Sequence, residues 1–268
     1  MSDKPLAAQR AIITGASSGL GAAIAHAYAE AGAAVLVNHH GAAEAAKEIV
    51  GAIVEKGGRA VAAAGDVSRP ADVEGLFEIA HEHFGGVEIL VANAGLQRDG
   101  AFTQLSLEDW RAVIDLDLSG AFLCAQEAVR WFRRQGLDPK RSRALGKVLF
   151  ISSVHQTIPW AGHANYAAAK GGVKMLMQSM AQELSAEKIR VNAIAPGAIR
   201  TPINKAAWTT PAAMRKLLKL IPYDRIGEVE DVAAAAVWLA SDAADYVVGA
   251  TLAIDGGMSL YPAFAHGG

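Results

Sequence analysis

The chain has 268 residues, 52% of them hydrophobic, with 25 Lys and Arg against 27 Asp and Glu and a net charge of −2; it is long enough for a sizeable core and lacks the basic excess that nucleic-acid binding demands. No apolar run reaches the roughly 18–20 residues of a membrane span, and the most apolar stretch, Val232 to Ala240, is bracketed by Asp231 and Asp242. A single cysteine, Cys124, rules out an intrachain disulfide and fits a reducing compartment, and the opening MSDKPLAAQR lacks the apolar centre of a signal peptide, so a soluble cytoplasmic protein is expected.

Along the chain, short β-branched runs alternate with alanine-rich helical stretches. AIIT (11–14), AVLV (34–37), AVAAAG (60–65), EILVANA (88–94), KVLFIS (147–152), IRVNAIA (189–195) and TLAID (251–255) read as seven strands. They lack polar alternation, which predicts burial on both faces in a parallel sheet. Helices are expected between them over 20–31, 42–56, 70–83, 107–134 and 164–186. Repeated β-α-β order predicts an α/β fold, a doubly wound seven-stranded parallel sheet flanked by helices, and no linker divides the chain, so one domain over 1–268 is expected. Two stretches interrupt the rhythm. The basic loop 136–146, GLDPKRSRALG, has no interleaved aromatic residues and reads as a solvated excursion rather than a nucleic-acid site. The proline-bounded stretch 199–221, with a short helix near 212–220, has the place and length of a substrate lid.

The first strand runs straight into TGASSGLG, Thr14 to Gly21. Gly15, Gly19 and Gly21 permit a tight turn and close backbone approach, and a helix starting near Leu20 aims free N–H groups at a phosphate. The setting, between a first strand and a first helix, is that of a Rossmann-type dinucleotide site, with Ser17, Ser18 and Leu20 in the same turn. Farther on, Ser153 precedes Tyr166 by thirteen residues and Lys170 follows it by four. On a helix the four-residue step puts phenol and ammonium on one face. A free tyrosine titrates near ~10 and is a poor base at neutral pH. An ammonium about 4 Å away favours tyrosinate by roughly 4 kcal/mol at an effective dielectric near 20. The neighbouring histidines, His39 with His40 and His81 with His83, do not converge and have no completing Cys or carboxylate, so no metal is expected and they read as solvent-facing.

Taken in order, TGASSGLG, Asn93-Ala94-Gly95, Ser153, Tyr166-x-x-x-Lys170 and Pro196-Gly197 with Thr201 resemble the short-chain dehydrogenase/reductase family over nearly the whole chain. SSVHQTIPW, PGAIRTPIN, WLAS and DGGMSLYPAF are similar to the versions in that family's glucose 1-dehydrogenase group. The resemblance implies NAD(P)-dependent oxidation of an alcohol, here a glucose-like aldose at C1 to the lactone, in a homotetramer. It implies Tyr166 as general base, Lys170 as its tuner and a ribose contact, and Ser153 as the hydroxyl that holds the reacting oxygen. Asp66 and Val67 would meet the adenine, Asn93, Ala94 and Gly95 the ribose side, and Pro196, Gly197, Ile199 and Thr201 the nicotinamide. At the end of the second strand Asn38, His39 and His40 offer no carboxylate to reject a 2′-phosphate, so use of both NAD and NADP is expected.

His155, Gln156, Trp160 and Asn165, between serine and tyrosine, are expected to wall the substrate pocket together with Gln97, and Asn204 in the lid is a further candidate. Polar groups with one aromatic face suit a sugar. If Arg98 or Arg200 faces the pocket, an acidic sugar becomes the substrate; a 3-oxoacyl carrier-protein reductase is the rival enzyme, and a non-catalytic nucleotide-binding protein the rival class. The segment 259–264, with Tyr261 and Phe264, is expected at a subunit interface near a neighbouring site. One departure stands out. In IDLDLSGAFL the family usually places asparagine where this chain has Asp117, a position that by resemblance supports a water next to the lysine and extends the proton path.

Overall fold

The computed structural model describes residues 4–260. Seven parallel strands, β1 (Arg10–Ile13), β2 (Ala34–His39), β3 (Arg59–Ala64), β4 (Ile89–Ala92), β5 (Gly146–Ile151), β6 (Ile189–Pro196) and β7 (Thr251–Ile254), form one sheet in the order β3-β2-β1-β4-β5-β6-β7. The order reverses between β1 and β4, and in such sheets the crevice at that switch point, beyond the carboxyl ends, receives the ligand. Five strands are buried along their whole length, but β3 and β7, at the two edges, are partly exposed. An edge strand has one neighbour fewer, so the expectation of burial on both faces holds for the five inner strands only.

Helices cover both faces. On one side Tyr28 of α1 (Gly19–Glu30), Ile53 of α2 (Ala43–Glu55) and Val232 of α8 (Val229–Ala240) pack on Ile13, Val35 and Ile194. The Tyr28 hydroxyl donates to the Ala236 carbonyl at 3.0 Å, so the α1–α8 contact keeps its polar tip paired. On the other side Phe77 of α3 (Pro70–Phe84), Phe132 of α5 (Ala121–Gln135) and Met177 of α6 (Ala164–Leu184) pack on Leu90, Val148 and Phe150. Among the described residues no helix is long and apolar enough to cross a membrane.

The long helix expected over 107–134 is interrupted. An α-helical turn pair, α4 (Leu107–Ile114), passes through a π-helical stretch (Asp115–Gly120) before α5. The wider turn inserts a residue into the i→i−4 ladder and re-aims the side chains there, a feature that recurs at functional sites. The 199–221 stretch holds a 3₁₀ segment (Pro202–Ala207) and α7 (Pro211–Leu218). The 136–146 loop is not a free excursion: the Ser142 hydroxyl is buried and donates to Asp242 at 2.7 Å.

At the amino edge of the sheet the strands start with buried charge. Arg10 pairs with Glu88, Lys147 donates to the Gln9 side-chain carbonyl, and Arg190 donates to the carbonyls of Leu239 at 2.8 Å, Ala244 at 3.0 Å and Ser241 at 2.9 Å. Here Arg190 satisfies orphan carbonyls that end α8 and the 3₁₀ turn (Asp242–Ala244) after it.

Candidate active site

Two adjoining cavities open at the carboxyl edge. The smaller, about 350 Å³, runs over the glycine turn and the ends of β2, β3 and β4. The larger, about 790 Å³, lies between the ends of β5 and β6, the 199–221 stretch and the segment from Gly257 to Leu260. Leu20, Ser152, Tyr166, Thr201 and Ile203 belong to both walls.

The glycine turn is built for close approach. Gly15 and Gly19 take φ of +59° and +55°, which side-chain-bearing residues rarely adopt. A Cβ on Gly15 would lie 2.8 Å from the Ala94 Cα, and one on Gly21 only 2.6 Å from Asn93 Nδ2 and the Gly15 carbonyl. Gly21 therefore packs helix against strand, while Gly15, Ser17, Ser18, Gly19 and Leu20 line the cleft. Side chains brace the turn from behind. Thr14 Oγ1 accepts from the backbone of Asn93 (2.9 Å) and Ala94 (3.0 Å), and Asn93 Nδ2 donates to the carbonyls of Thr14 (2.9 Å) and Gly15 (3.1 Å). The Ser18 side chain makes no capping bond, so the first amides of α1 face the cleft without an internal acceptor. These features fit a pyrophosphate.

Asn38 lines the cleft, but its amide is spent on structure: Oδ1 accepts from Gly15 N at 3.0 Å and Nδ2 donates to the Gly65 carbonyl at 3.0 Å. His39 does not line the cleft. It is buried, as its place between two cleft residues on a strand requires, and this corrects the expectation of a cofactor contact and of a solvent-facing ring. His40 does line it, mostly exposed, with Nδ1 3.9 Å from Asp66. The Asp66 carboxyl is held below its ordinary range chiefly by the Ser68 hydroxyl, with smaller help from His40. Val67, Asn93, Ala94 and Gly95 complete this wall.

Tyr166 stands in the first turn of α6 at the junction of the cavities, and Lys170 lies one turn on, buried behind it, with Nζ 5.4 Å from the phenol ring centre. Lys170 forms an ion pair with Asp117 at 3.1 Å and donates to the Ile151 carbonyl at 3.4 Å. Asp117 is brought there by the π-helical stretch, and its other oxygen accepts from Leu96 N at 2.8 Å. Burial pulls the Lys170 ammonium down, but Asp117 and Tyr166 more than offset it and hold it above its ordinary value. Ser153 lines the larger cavity and its hydroxyl accepts from His155 N at 3.2 Å. The Ser152 hydroxyl, which sequence reasoning passed over, is buried, lies on both walls and has no hydrogen-bond partner among the described residues.

Gln97, His155 and Trp160 wall the larger cavity, as do Pro196, Gly197, Ile199 and Thr201. Asn165 does not. Its side chain is fully buried, donating to the Arg98 carbonyl at 2.9 Å and accepting from Tyr166 N at 2.8 Å, so it anchors the start of α6 instead of meeting substrate. Gln156 is likewise off the wall. Asn204 lies on the wall and ties the 199–221 stretch together, accepting from Thr201 N (3.2 Å) and Trp208 Nε1 (3.1 Å) and donating to the Ile199 carbonyl (2.7 Å). Neither Arg98 nor Arg200 is on a wall; Arg200 pairs with Glu228 at 3.1 Å and stacks on Trp208. The far wall, not foreseen from the sequence, is mostly apolar, with Ile203, Ala207, Leu217, Leu220, Met258 and Leu260, and carries Lys219 among them. Tyr261 and Phe264 lie outside the described residues.

The comparisons with known proteins agree on the kind of molecule. A family model described as enoyl-(acyl carrier protein) reductase matches residues 15–259. The chain is 46% identical over 256 residues to 3beta-hydroxysteroid dehydrogenase 1 of Eggerthella lenta, covering 96% of this chain and 95% of the relative. It is 42% identical over 260 residues to glucose 1-dehydrogenase 2 of Bacillus subtilis, covering 97% and 98%. Among solved structures, a putative 2-deoxy-D-gluconate 3-dehydrogenase from Agrobacterium tumefaciens with bound NADP superposes with a TM-score of 0.85 at 37% identity, covering 96% of this chain and 99% of that one.

Proposed function

The chain belongs to the short-chain dehydrogenase/reductase family, and we propose that it oxidises an aldose at C1 to the lactone, with NAD or NADP as the oxidant. The observation that carries this reading is the place of Tyr166, at the junction of a dinucleotide-shaped cleft and a second cavity, with an ammonium buried behind it. The bound cofactor supplies the hydride acceptor. Gly15 to Leu20 hold its pyrophosphate, Asp66 and Val67 its adenine, Lys170 and the Asn93-Ala94-Gly95 turn the ribose side, and Pro196, Gly197, Ile199 and Thr201 its nicotinamide. Ser153 holds the substrate oxygen, Tyr166 takes the hydroxyl proton as the hydride departs, and Lys170 stabilises the tyrosinate. The stretch 199–221 serves as a lid, with Asn204 fixing its base. Gln97 forms hydrogen bonds with sugar hydroxyls, His155 accepts one from a sugar hydroxyl, and the Trp160 indole gives the ring an apolar face.

A second reading rests on the far wall. Its apolar side chains and the 46% identity to a hydroxysteroid dehydrogenase favour a bulky apolar ring bearing a secondary alcohol. A panel of glucose and other aldoses, acid sugars, hydroxysteroids and β-ketoacyl thioesters, read by NAD(P)H absorbance, decides. Turnover of an aldose at least about tenfold better in kcat/KM than any hydroxysteroid supports the first reading, and the reverse order the second. In either case NAD and NADP should both serve, since no carboxylate guards the ribose in Asn38–His40; a preference above about a thousandfold would sink that expectation. We read the protein as a cytoplasmic homotetramer, supported by the half-open β7 edge and by exposed Phe102, Leu107, Phe122, Trp238 and Tyr246.

A further inference from the structure

Between Ser153 and Tyr166 the chain builds a stack of three rings. His155 lies on one face of the Trp160 indole, with ring centres 4.2 Å apart and planes 18° apart; His163 lies on the other, at 3.4 Å and 5°. The stack abuts the proposed base, since Tyr166 meets both His155 and Trp160 edge-on at 6.5 Å. His155 and Trp160 wall the larger cavity and His163 does not, so His163 acts from behind the indole.

Both ring nitrogens of His163 face acceptors. Nδ1 is 3.0 Å from the Ala161 carbonyl and Nε2 is 3.2 Å from the Asp99 carboxylate. A neutral imidazole carries one N–H, so only the imidazolium donates to both. His155 is in the opposite situation. Burial, with repulsion from His163, holds it below the ordinary histidine value although the Ile158 carbonyl, 3.1 Å from Nδ1, works the other way. Neutral His155 donates from Nδ1 to Ile158 and leaves Nε2 as a bare acceptor.

We propose that His163, held by Asp99 and the Ala161 carbonyl, is a positioning residue that pins the Trp160 indole as the substrate-facing wall and keeps His155 stacked on it as an acceptor for a substrate hydroxyl. The proposal rests on the larger cavity being the substrate site. A ring stacked on an indole holds it in place, and Asp99 fixes where that ring sits.

Two measurements on the full chain test it. With glucose as the probe, His163→Ala should raise KM about five- to tenfold, with kcat and the Kd for NADPH within about twofold of the parent. His163→Phe keeps a ring on the indole but gives Asp99 and the Ala161 carbonyl no partner, so its KM should fall between those of the parent and His163→Ala. Independently of substrate, the difference in tryptophan emission between the parent and Trp160→Phe should shift when His163→Ala is made in both backgrounds, because the indole loses the ring stacked on it. An unchanged KM in His163→Ala, or a fall in kcat and cofactor affinity alongside it, overturns the proposal. So does a Trp160 signal that is the same in His163→Ala as in the parent. Failure of glucose to turn over beside a Trp160 signal that shifts in His163→Ala overturns the aldose reading and leaves the clamp supported.

Discussion

Two lysines, Lys170 and Lys147, are buried at opposite ends of the central sheet. Lys170, beyond the carboxyl edge, has a carboxylate 3.1 Å away and is held above its ordinary value. Lys147, at the amino edge, has the neutral Gln9 amide as its hydrogen-bond partner; burial, helped by Arg190, pushes it down to about 8 against the smaller pull of Asp242, Glu88 and Asp245. Burial is common to both, so burial does not decide the outcome. The partner does: a carboxylate in contact keeps the ammonium charged, whereas carboxylates at a distance fail to offset desolvation. A charge that must act on a neighbour needs the first arrangement. The second is what a strand start tolerates when its amine still has one acceptor.

The sharpest test is to remove each ammonium. Lys170→Met should lower kcat by about a thousandfold or more, as expected when a general base loses the group that keeps it competent. Lys147→Met should leave kcat unchanged. Because Lys170→Met strands Asp117 as a buried unpaired carboxylate, it should also destabilise the fold by about 3–5 kcal/mol. Lys170→Met with Asp117→Asn should recover most of that stability and none of the activity. Comparable losses of kcat in both single variants would erase the distinction between the two lysines.

The next largest effect is in stability. The folded-state value of Lys147 lies below the unfolded one, so at neutral pH the fold carries an uncompensated cost of holding the ammonium. Between about 8 and the ordinary lysine value of 10.5 the unfolded chain binds more protons, and stability must rise with pH. The rise should total about 3 kcal/mol, an order-of-magnitude figure from the shift. Lys170 gives the opposite sign: its contribution is full below the unfolded value and is lost as pH climbs through its raised folded one. Urea unfolding of Lys147→Met across pH 7 to 10 should lack the rise. A parent whose stability falls through that window would show that Lys147 is charged and satisfied.

How much of this was legible in the sequence follows from how local each feature is. The strands and their order of use are local apolar runs, and the Tyr166–Lys170 face follows from the helical repeat alone. His39 was misplaced although the same kind of rule applies: on a strand it must face away from Asn38 and His40. Asn165, one position before Tyr166 on the helix, likewise points off the shared face. Other features depend on partners far along the chain. Lys147 reads as a polar strand start, and its burial comes from Gln9, 138 residues away. The apolar far wall joins Ile203 and Leu217 to Met258 and Leu260 through the fold, with no spacing to announce it. Asp117 was visible as a departure, but its contact with Lys170 depends on a π-helical turn that residue preferences do not signal.

The smallest expected effect is the most specific to this chain. Asp117 keeps Lys170 charged, yet its own negative charge offsets part of the field that the ammonium exerts on the phenol. Asp117→Asn removes that offset while Leu96 N, now 2.8 Å from the carboxylate, can still donate to the amide oxygen. The field at Tyr166 becomes more positive and tyrosinate easier to form. The alkaline rise of kcat should therefore move to lower pH by roughly one unit, with KM for the cofactor nearly unchanged. Two opposing results are informative. A profile that stays in place would mean that Asp117 is not electrically coupled to the base and only props the Gly95–Leu96 turn. A rise displaced to higher pH, with lower kcat, would mean that Lys170 loses its proton once the carboxylate is gone, so that the pair at the carboxyl edge works only as long as it differs from its counterpart at the amino edge.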